Sequence, residues 1–238
     1  MTDLLAASGL FRRFGGIHAL RDVSVVQHPG ETLGMIGPNG SGKTSFVNAV
    51  TGHLRLDRGR IAFCGTDLTG AGPHSVTSAG LTRTYQAVRV FNRLSVADNL
   101  ATASLLRQTD PVGNDARAEL LSWLQLDTSL HKAAGSLSLF EQRRLELAMR
   151  LLLKPRLVML DEPVGGLAAA EVRAMVELLR QLKARCGVFI IEHAMNVIRD
   201  LADRVVVLIT GEKVADGPPE DILRDARVVQ HYLGAPRA

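Results

Sequence analysis

The sequence has few of the residues that build cross-linked or membrane-spanning structures. Its 238 residues include two cysteines, Cys64 and Cys186, which stand far apart and predict neither a disulfide framework nor a metal site. No apolar run approaches the roughly 18–20 residues needed to cross a bilayer. The longest runs, VFII and RVVVLI, are short and rich in β-branched residues, which is typical of buried strands. The first residues carry an early acid and no apolar segment, so we expect no signal peptide.

Aromatic residues are also scarce, at 4% of the chain, and no block of basic residues interleaves with them. The formal net charge of +4 would permit contact with nucleic acid or anionic lipid. Without a basic block, we interpret this charge as a solvated, arginine-rich surface, and we expect no nucleic-acid partner. With 46% hydrophobic residues, the chain is expected to bury its core as one intracellular globular domain.

The apolar segments predict strands and helices in alternation. Strands are expected at ETLGMIG, RLVML, VFII and RVVVLIT, and helices at GKTSFVNAVTGHL, AAEVRAMVELLRQLKARC and AMNVIRDLA. The second of these helices is expected to stop at Gly187. Apolar, β-branched strands alternating with helices favour a parallel sheet that is covered on both faces. RGRIAFCGTDL predicts a further strand and turn in antiparallel arrangement.

A helical stretch from about Ser95 to Leu153 interrupts this alternation, and we interpret it as an inserted helical subdomain. It opens with SVADNLATASLLR, where Ser95 and Asp98 have the spacing of a capping box. A polar loop, QTDPVGND, then precedes the predicted helix ARAELLSWLQL. A third helix around EQRRLELAMRLLLK is expected to end before Pro155.

The clearest motif is GPNGSGKT, Gly37 to Thr44, which fits G-x-x-x-x-G-K-[ST] at every position. Its glycines let backbone N–H groups turn inward to form an anion-binding loop, and a helix starting near Gly42 directs its positive end at the phosphates. Lys43 supplies a point charge to the outer phosphates, and the Thr44 hydroxyl can bind Mg²⁺. Strand, loop and helix occur in the required order, so we prefer a nucleotide site to a chance glycine turn.

A second motif is LVMLDEP, Leu157 to Pro163. Four apolar residues predict a buried strand that ends at Asp161, and ligands bind at this end of the strands in open α/β sheets. Asp161 can hold Mg²⁺ through water, and Glu162 can polarise an attacking water as a general base. An Asp-Glu pair at a strand end is by itself more often a loop cap. Downstream of a phosphate loop, the catalytic interpretation becomes the stronger one.

Two further polar residues become candidates through their positions. His193 comes just after VFII, at the end of a predicted buried strand, where its side chain can reach the γ-phosphate of a nucleotide. Gln86, in LTRTYQAVRVF, lies between a short strand and the helical insertion, where it can sense Mg²⁺ and the γ-phosphate. A lone histidine is more often structural and a loop glutamine is usually only solvated, so both assignments depend on the nucleotide site.

The order of GPNGSGKT, TYQ, LSLFEQRR, LVMLDEP and IIEH resembles that in the ATP-binding subunits of ABC transporters, over nearly the whole chain. RTYQAVRVFNRLSVADNL and GPPEDILRDARVVQHYLG are similar to one subfamily, the ATPase subunits of branched-chain (hydrophobic) amino-acid importers. The resemblance implies an α/β fold: a P-loop NTPase core of the RecA type with a mainly parallel sheet, an antiparallel β subdomain and an inserted α-helical subdomain. It implies one nucleotide-binding domain over residues 1–238, with its core at 1–86 and 155–238 and the helical subdomain at about 87–154.

The same resemblance implies a role for each motif residue. RFGGIHALRDVSV would bind adenine, with Phe14 as the aromatic platform. Mg²⁺ would be contacted directly by Thr44 and Gln86, and through water by Asp161. Glu162 would be the catalytic base and His193 the γ-phosphate switch, with Gln86 as the third catalytic candidate. The phosphates of ATP would be held by the loop residues Gly37, Asn39, Gly40, Ser41, Gly42, Lys43, Thr44 and Ser45.

In this family two subunits close head to tail, and each ATP lies between one subunit's phosphate loop and the other's signature. The signature is usually Leu-Ser-Gly-Gly-Gln, or a close variant that keeps the second glycine, but here Ser138 is followed by Leu139, Phe140 and Glu141. Glycine lets backbone N–H groups approach the γ-phosphate, whereas Phe140 is expected to put a bulky ring at the helix tip. Ser138 and Glu141 fit a capping box, so the helix should still form. We therefore predict a complete site of the subunit's own and a weakened site on its partner's ATP.

A second departure supports the same prediction. After EPVGGL the family commonly has Asp or Asn, which helps to link the two sites, and here Ala168 stands in that position. The resemblance implies that importers of this subfamily pair two different ATPase subunits, which would allow one strong and one weak site.

The resemblance further implies an ATPase that energises an importer from the cytoplasmic face of the cell membrane. Its partners would be a second ABC ATPase subunit, identical or different, transmembrane permease subunits, and a solute-binding protein in the wider complex. The surface from Gln86 to Arg93, with the helical insertion, would be the docking face for the permease. Branched-chain or other hydrophobic amino acids are the expected cargo, with urea or short amides as the alternative.

Other classes of function are less well supported. A soluble ABC ATPase of DNA repair or translation usually carries two cassettes or a long coiled coil, and neither is present in this sequence. The degenerate signature suggests a regulatory ATP-binding subunit with low turnover, but Glu162 and His193 argue against it. A GTPase or small-molecule kinase would share the phosphate loop and give no reason for the later motifs.

Overall fold

A computed structural model describes residues 2–105, 113–225, 228 and 230 of the chain. The strands are β1 (Leu5–Phe14), β2 (Ile17–Gln27), β3 (Thr32–Ile36), β4 (Arg58–Phe63), β5 (Thr66–Asp67), β6 (Leu81–Arg83), β7 (Leu157–Asp161), β8 (Gly187–Ile191), β9 (Arg204–Ile209) and β10 (Glu212–Gly217). The α-helices are α1 (Lys43–Val50), α2 (Pro73–Ser78), α3 (Val96–Leu105), α4 (Asn114–Trp123), α5 (Leu139–Leu151), α6 (Ala169–Leu182), α7 (Met195–Leu201) and α8 (Pro219–Arg224). No helix among these residues is long and apolar enough to span a membrane.

The larger sheet has six strands in the order β10-β9-β3-β8-β7-β6. β9, β3, β8, β7 and β6 run parallel, and β10 is antiparallel to β9. Every residue of β3, β7 and β8 is buried, as expected for strands covered on both faces. The predicted parallel sheet is confirmed.

A smaller antiparallel sheet, in the order β2-β1-β4-β5, lies over one face of the larger sheet. β4 and β5 are the strand and turn predicted from RGRIAFCGTDL. The core between the two sheets includes α1, where Phe46 stacks on Phe189 of β8 with ring centroids 5.7 Å apart. This packing fixes the helix that follows the phosphate loop against the central strands.

Helices cover the other face of the larger sheet, with Leu145 of α5 and Leu179 of α6 in the same core as Val158 and Ile190. The predicted polar loop QTDPVGND lies largely outside the described residues. The helix expected at ARAELLSWLQL begins earlier, at Asn114, and ends at Trp123. It ends early because Gln125 takes a left-handed conformation, with φ of +52°.

Two predicted helix boundaries need correction or refinement. α6 ends at Leu182, and Gly187 is the first residue of β8. A side chain at Gly187 would overlap Leu4 and press on the Arg156 carbonyl oxygen, so this glycine allows close strand packing. At the start of α3, the Asp98 N–H bonds to Ser95 Oγ at 3.0 Å, while the Asp98 carboxylate accepts the Ser95 hydroxyl rather than its backbone N–H.

A buried ion pair joins the ends of β6 and β7. Arg83 Nη2 donates to Asp161 Oδ2 at 2.9 Å, and Arg83 Nη1 donates to Asn48 Oδ1 of α1 at 2.6 Å. The Arg83 side chain is 8% exposed and that of Asp161 12%. Burial raises the pKa of the Asp161 carboxyl, and the Arg83 guanidinium opposes that rise. The pair therefore compensates a charge that would be costly alone.

A second buried carboxylate connects α5 to the segment after β6. Glu146 Oε1 accepts the Arg89 backbone N–H at 3.3 Å and lies 3.8 Å from Arg150 Nη2. Burial raises the pKa of Glu146 to about 6, although Arg150 and Arg143 favour its charged form. The helix that begins at the signature is thus tied to the segment that carries Gln86.

We expect Arg83→Met to lower the free energy of unfolding by about 3–5 kcal/mol, because Asp161 would remain buried without its partner. Urea unfolding followed by circular dichroism, without nucleotide or Mg²⁺, measures the change. Arg180→Met is the matched control, because Arg180 and its partner Glu177 are more than half exposed and the loss should be less than about 1 kcal/mol. Equal losses in the two variants would contradict the role of the buried pair.

The raised pKa of Glu146 predicts that the free energy of unfolding depends on pH, and that Glu146→Gln removes this dependence. Because the folded pKa of about 6 exceeds the ordinary 4.5, protonation favours the fold, and this stability is lost as the pH rises through 6. Between pH ~4 and ~7.5, the wild type should lose roughly 2 kcal/mol of unfolding free energy relative to Glu146→Gln. The neighbouring arginines stay charged throughout this range. Urea unfolding at several pH values checks this, with the exposed Glu177→Gln as control, and a pH-independent difference would refute it.

Candidate nucleotide-binding and catalytic site

The phosphate loop Gly37–Ser45 follows β3 directly and leads into α1. Gly40 and Gly42 have positive φ values of +78° and +106°, and a Cβ at Gly42 would clash with the Ala19 carbonyl oxygen of β2. The first hydrogen bond inside α1 runs from the Phe46 N–H to the Gly42 carbonyl oxygen at 2.8 Å. The N–H groups of the helix's first residues therefore have no partner within the helix, and they form an anion-binding end.

Lys43 places its charge at this loop. Its Nζ donates to the Gly37 carbonyl oxygen at 2.7 Å and to the Pro38 carbonyl oxygen at 3.0 Å. Burial lowers the pKa of Lys43, while the nearby carboxylates of Glu162 and Asp161 favour its charged form. The cation of the loop and the two acids of LVMLDEP thus share one electrostatic environment.

Glu162 stands at the turn immediately after β7. It has a φ of +50°, a left-handed conformation that is unusual for a residue with a side chain. Its N–H donates to the Ile191 carbonyl oxygen at 2.9 Å, and its carbonyl oxygen accepts the Gly165 N–H at 3.1 Å. Backbone strain of this kind is common at functional sites, and here these bonds fix the direction of the catalytic candidate.

The three catalytic candidates meet at the Glu162 carboxylate. Gln86 Nε2 donates to Glu162 Oε2 at 2.9 Å, and His193 Nε2 lies 2.9 Å from Glu162 Oε1. Residues that are 76 and 31 positions from Glu162 in the sequence therefore contact its two oxygens separately. Gln86 follows β6, Glu162 follows β7 and His193 follows β8, so neighbouring strands bring them together.

The donors expected for Mg²⁺ are hydroxyl, amide and carboxylate groups, which are the oxygen donors that this hard cation prefers. Thr44 is exposed at the start of α1, and Gln86 uses its Nε2 on Glu162, which leaves Oε1 as the other polar atom of the amide. Asp161 ends β7 and is buried. In the described residues no group of three or more His, Cys, Asp and Glu could hold a metal alone. The set fits a Mg²⁺ that arrives with nucleotide phosphates, since such sites need few protein ligands.

Phe14, the expected adenine platform, ends β1 beside the hairpin turn and is 48% exposed. The Arg12 guanidinium lies over its ring, with Cζ 4.8 Å from the centroid. The paired strand β2 runs next to the phosphate loop, where Ala19 faces Gly42. An exposed aromatic face next to a phosphate loop suits a nucleobase, and Phe14 stays the proposed adenine platform.

The signature forms the start of α5. The Glu141 N–H donates to Ser138 Oγ at 3.2 Å and the Ser138 N–H donates to Glu141 Oε2 at 2.8 Å, so the predicted capping box is present. The hydrogen bond from the Ser138 backbone lowers the pKa of Glu141. The Phe140 ring does not project from the helix tip as expected: it packs against the core under Arg144, whose Cζ is 4.5 Å from the centroid. Leu139, 39% exposed, is the apolar side chain that faces outward there.

Ala168, the second departure from the family pattern, lies at the start of α6. Its N–H donates to Glu171 Oε2 at 2.9 Å, but its side chain offers no cap. An Asp or Asn in this position would add a polar side chain, so the exposed methyl group of Ala168 removes one potential contact with a partner.

Three buried charged residues at the site were missed by the sequence interpretation. Arg83 pairs with Asp161, and Arg143 Nη2 donates to the Gly165 carbonyl oxygen at 2.6 Å. Glu192, 3% exposed, accepts backbone N–H groups near both Glu162 and His193. The acid directly after the apolar run VFII was the available signal for Glu192, whereas nothing in the sequence separates Arg83 or Arg143 from surface arginines.

Comparison with known proteins supports the same family along the chain. The sequence model described as "ABC transporter" matches residues 20–165, and that described as "Branched-chain amino acid ATP-binding cassette transporter" matches residues 212–238, part of which lies outside the described residues. The high-affinity branched-chain amino acid transport ATP-binding protein LivG of Escherichia coli (strain K12) is 34% identical, covering 97% of this chain and 98% of LivG. The lipopolysaccharide export system ATP-binding protein LptB of Acidithiobacillus ferridurans is 36% identical, covering 98% of each.

Solved structures agree with the sequence comparison. The ADP conformation of an ATP-binding cassette of an ABC transporter is 27% identical and superposes with a TM-score of 0.87, covering 99% of this chain and 100% of that one. The predicted P-loop NTPase fold, with its antiparallel sheet and its helices, is thereby confirmed. This chain belongs to the ABC transporter family, as an ATP-binding subunit of the family's ATPase type.

Proposed function

We propose that this chain binds and hydrolyses MgATP to energise an importer for branched-chain or other hydrophobic amino acids. The hydrolytic part rests on one observation: the Glu162 carboxylate contacts both Gln86 and His193 at 2.9 Å, beside a complete phosphate loop. The cargo rests on the match of residues 212–238 and on the LivG relative.

In the proposed reaction, Glu162 accepts the proton of the water that attacks the γ-phosphate. One of its oxygens contacts Gln86 and the other His193, and each oxygen keeps a second lone pair that can accept a hydrogen bond from that water. Gln86 is exposed and His193 is half-buried, so both side chains have room to turn toward nucleotide. On ATP binding, Glu162 would then act as the base, Gln86 would contact the metal and His193 would contact the γ-phosphate.

The phosphate loop would hold the nucleotide while this occurs. Lys43 would exchange its bonds to the Gly37 and Pro38 carbonyl oxygens for bonds to the outer phosphates. The first N–H groups of α1 would donate hydrogen bonds to the phosphate oxygens. Thr44 and Gln86 would hold Mg²⁺ directly and Asp161 through water. When bound, this ion neutralises charge that develops on the phosphates. Phe14 would stack on the adenine through the exposed part of its ring.

A second ATPase subunit would complete each site with its signature. The first residues of α5 are the part of this chain that would reach a partner's ATP, and Leu139 is the exposed side chain there. Leu139 and Phe140 both stand where the signature usually has glycine, and because Leu139 is the more exposed of the two, we propose that it shields the helix N–H groups from the partner's phosphate. The weakened trans site inferred from the signature is therefore assigned to Leu139 rather than to the packed Phe140. A different partner subunit with a glycine signature would restore this chain's own site.

The transporter would also contain permease subunits and a solute-binding protein, with this chain on the cytoplasmic face of the membrane. We propose the surface from Gln86 to Arg93 as the docking face, where Phe91 is 54% exposed. The proposed division into a core at 1–86 and 155–238 and a helical subdomain at about 87–154 puts this segment at their junction. Glu146 of α5 accepts a hydrogen bond from the Arg89 backbone there, so a movement of the helical part would displace the segment that carries Gln86.

Lipopolysaccharide export is a second candidate function, because one relative of this chain is an export protein. LptB, a lipopolysaccharide export protein, is 36% identical to this chain over nearly its full length. The match of residues 212–238 to the branched-chain amino acid group favours import. Uptake of labelled leucine in cells lacking this chain separates the two, with urea uptake and lipopolysaccharide export measured in parallel. Loss of leucine uptake that is restored by the chain, but not by Glu162→Gln, supports the proposal, and loss of urea uptake or of export alone rejects it.

We predict that Glu162→Gln lowers ATP turnover by at least about 100-fold, because the amide cannot accept a proton. Nucleotide should bind at least as tightly as it does to the wild type, since Glu162 lies outside the phosphate loop and the substitution removes a negative charge near it. Phosphate release in the presence of the partner subunit and fluorescent-nucleotide binding measure the two quantities. Glu177→Gln, on exposed α6 surface, is the control and should alter neither. Turnover close to that of the wild type would exclude Glu162 as the base.

The proposed role of Leu139 predicts that Leu139→Gly raises the turnover of the chain alone by at least about tenfold, because helix N–H groups become accessible to the partner's phosphate. Phe140→Gly should instead lower the free energy of unfolding by about 2 kcal/mol or more, since a packed ring is lost. Steady-state hydrolysis and urea unfolding of both variants measure this. Activation by Phe140→Gly alone, or full activity of the wild-type homodimer, would reject the assignment.

A further inference from the structure

Glu192 is an acid whose charge has no role in the proposed reaction, yet it is buried beside the catalytic candidates. Only 3% of it is exposed. Its Oε2 accepts the His193 N–H at 2.9 Å and the Ala194 N–H at 3.2 Å, and its Oε1 accepts the Val164 N–H at 3.2 Å. Burying a carboxylate is costly, and three backbone donors are the kind of compensation that makes it tolerable.

These three donors belong to two different loops. Val164 lies two residues after Glu162 in the loop that follows β7, whereas His193 and Ala194 lie in the loop that follows β8. The Glu192 carboxylate therefore holds together the backbones that carry the base and the γ-phosphate contact. With both backbones fixed, His193 Nε2 stands 2.9 Å from Glu162 Oε1.

Arg143 brings a third element to the same place. It is buried in the second turn of α5, and its Nη2 donates to the Gly165 carbonyl oxygen at 2.6 Å, in the loop after β7. Burial lowers the pKa of Arg143, and the charges of Glu146, Glu192 and Glu162 oppose that shift. The helix that begins with the signature thus supplies a buried positive charge in the neighbourhood of Glu192 and Glu162.

We infer that Glu192 is a positioning residue for the proposed hydrolysis: with Arg143 as its counter-charge, it sets His193 against Glu162 and links their loops to the signature helix. A shift of α5 on contact with a partner's ATP would move Arg143, and through Gly165 and Glu192 the separation of His193 and Glu162. The inference deepens the proposed function and rests on it. In each subunit, a movement of the signature helix would therefore change the position of that subunit's own catalytic base.

The test compares Glu192→Gln with Glu171→Gln. Glutamine keeps the shape of the side chain but replaces one acceptor oxygen by an NH₂ group, so at least one of the three backbone bonds is lost. Glu171 is the matched control, because its carboxylate also accepts a loop N–H, that of Ala168, without contacting His193. We expect Glu192→Gln to lower kcat by roughly 10–100-fold with an unchanged nucleotide Kd. Glu171→Gln should leave kcat unchanged.

A magnetic-resonance readout separates positioning from a general loss of structure. The Cε1–H signal of His193, identified by its absence in His193→Gln, should move when Glu162→Gln is introduced into the wild type, since the two side chains are in contact. In the Glu192→Gln background this response should be lost, while circular dichroism and the thermal midpoint show a folded protein. Retention of the response in Glu192→Gln would overturn the inference, whatever happens to kcat.

A second variant keeps the inference testable if Glu192→Gln does not fold. Arg143→Gln removes the charge and, because its side chain is shorter, the bond to Gly165, so it should also lower kcat and weaken the same His193 response. An unchanged response and an unchanged kcat in Arg143→Gln would overturn the link to α5. If the wild type with its partner subunit shows no turnover, the proposed function fails, and the magnetic-resonance comparison still decides the position of His193.

Discussion

The carboxyl ends of β3, β8 and β7 lie level at one edge of the sheet because these strands pair in parallel. Ile191, the last residue of β8, pairs with Met35 of β3 on one side and with Asp161 of β7 on the other. The chain leaves this edge as the phosphate loop, as the turn of Glu162 and as the loop of His193. Each chemical group of the site therefore stands at the end of a strand that is buried along its whole length. Disturbing that pairing would separate groups that lie far apart in the sequence.

Burying several charged side chains at this edge of the sheet is unfavourable, and each of them has a compensating partner in the structure. Asp161 is compensated by Arg83, and Glu192 by three backbone N–H groups with Arg143 close by. Each compensating group comes from a different element, so charge balance also joins β6, α5 and the loops after β7 and β8. Charges that are this well paired are rigid in position, which suits a site that must hold a base and a phosphate contact a few ångströms apart.

The order of strand, loop and helix around GPNGSGKT, the strand that ends at Asp161 and the capping box of α5 were predicted correctly, because each depends on neighbours a few residues away. Ser138 and Glu141 cap the helix whatever lies around them. The prediction for Phe140 was wrong in detail for the opposite reason. Whether that ring or the Leu139 side chain faces outward depends on the core beneath α5 and on Arg144 above the ring. Gly187 was likewise assigned to a helix end, because the Leu4 side chain that requires a glycine there is more than 180 residues away.

By itself, the sequence determined the order of strands and helices, the fold class and the candidate residues for a nucleotide site, since local spacing and apolar periodicity encode these. Only the tertiary structure decided which side chains share the Glu162 carboxylate, because Gln86, Glu162 and His193 are brought together by strand order rather than by sequence spacing. It also selected Arg83, Arg143 and Glu192 from among the many charged residues of the chain. Their roles depend on burial, and burial follows from the packing of distant segments against one another.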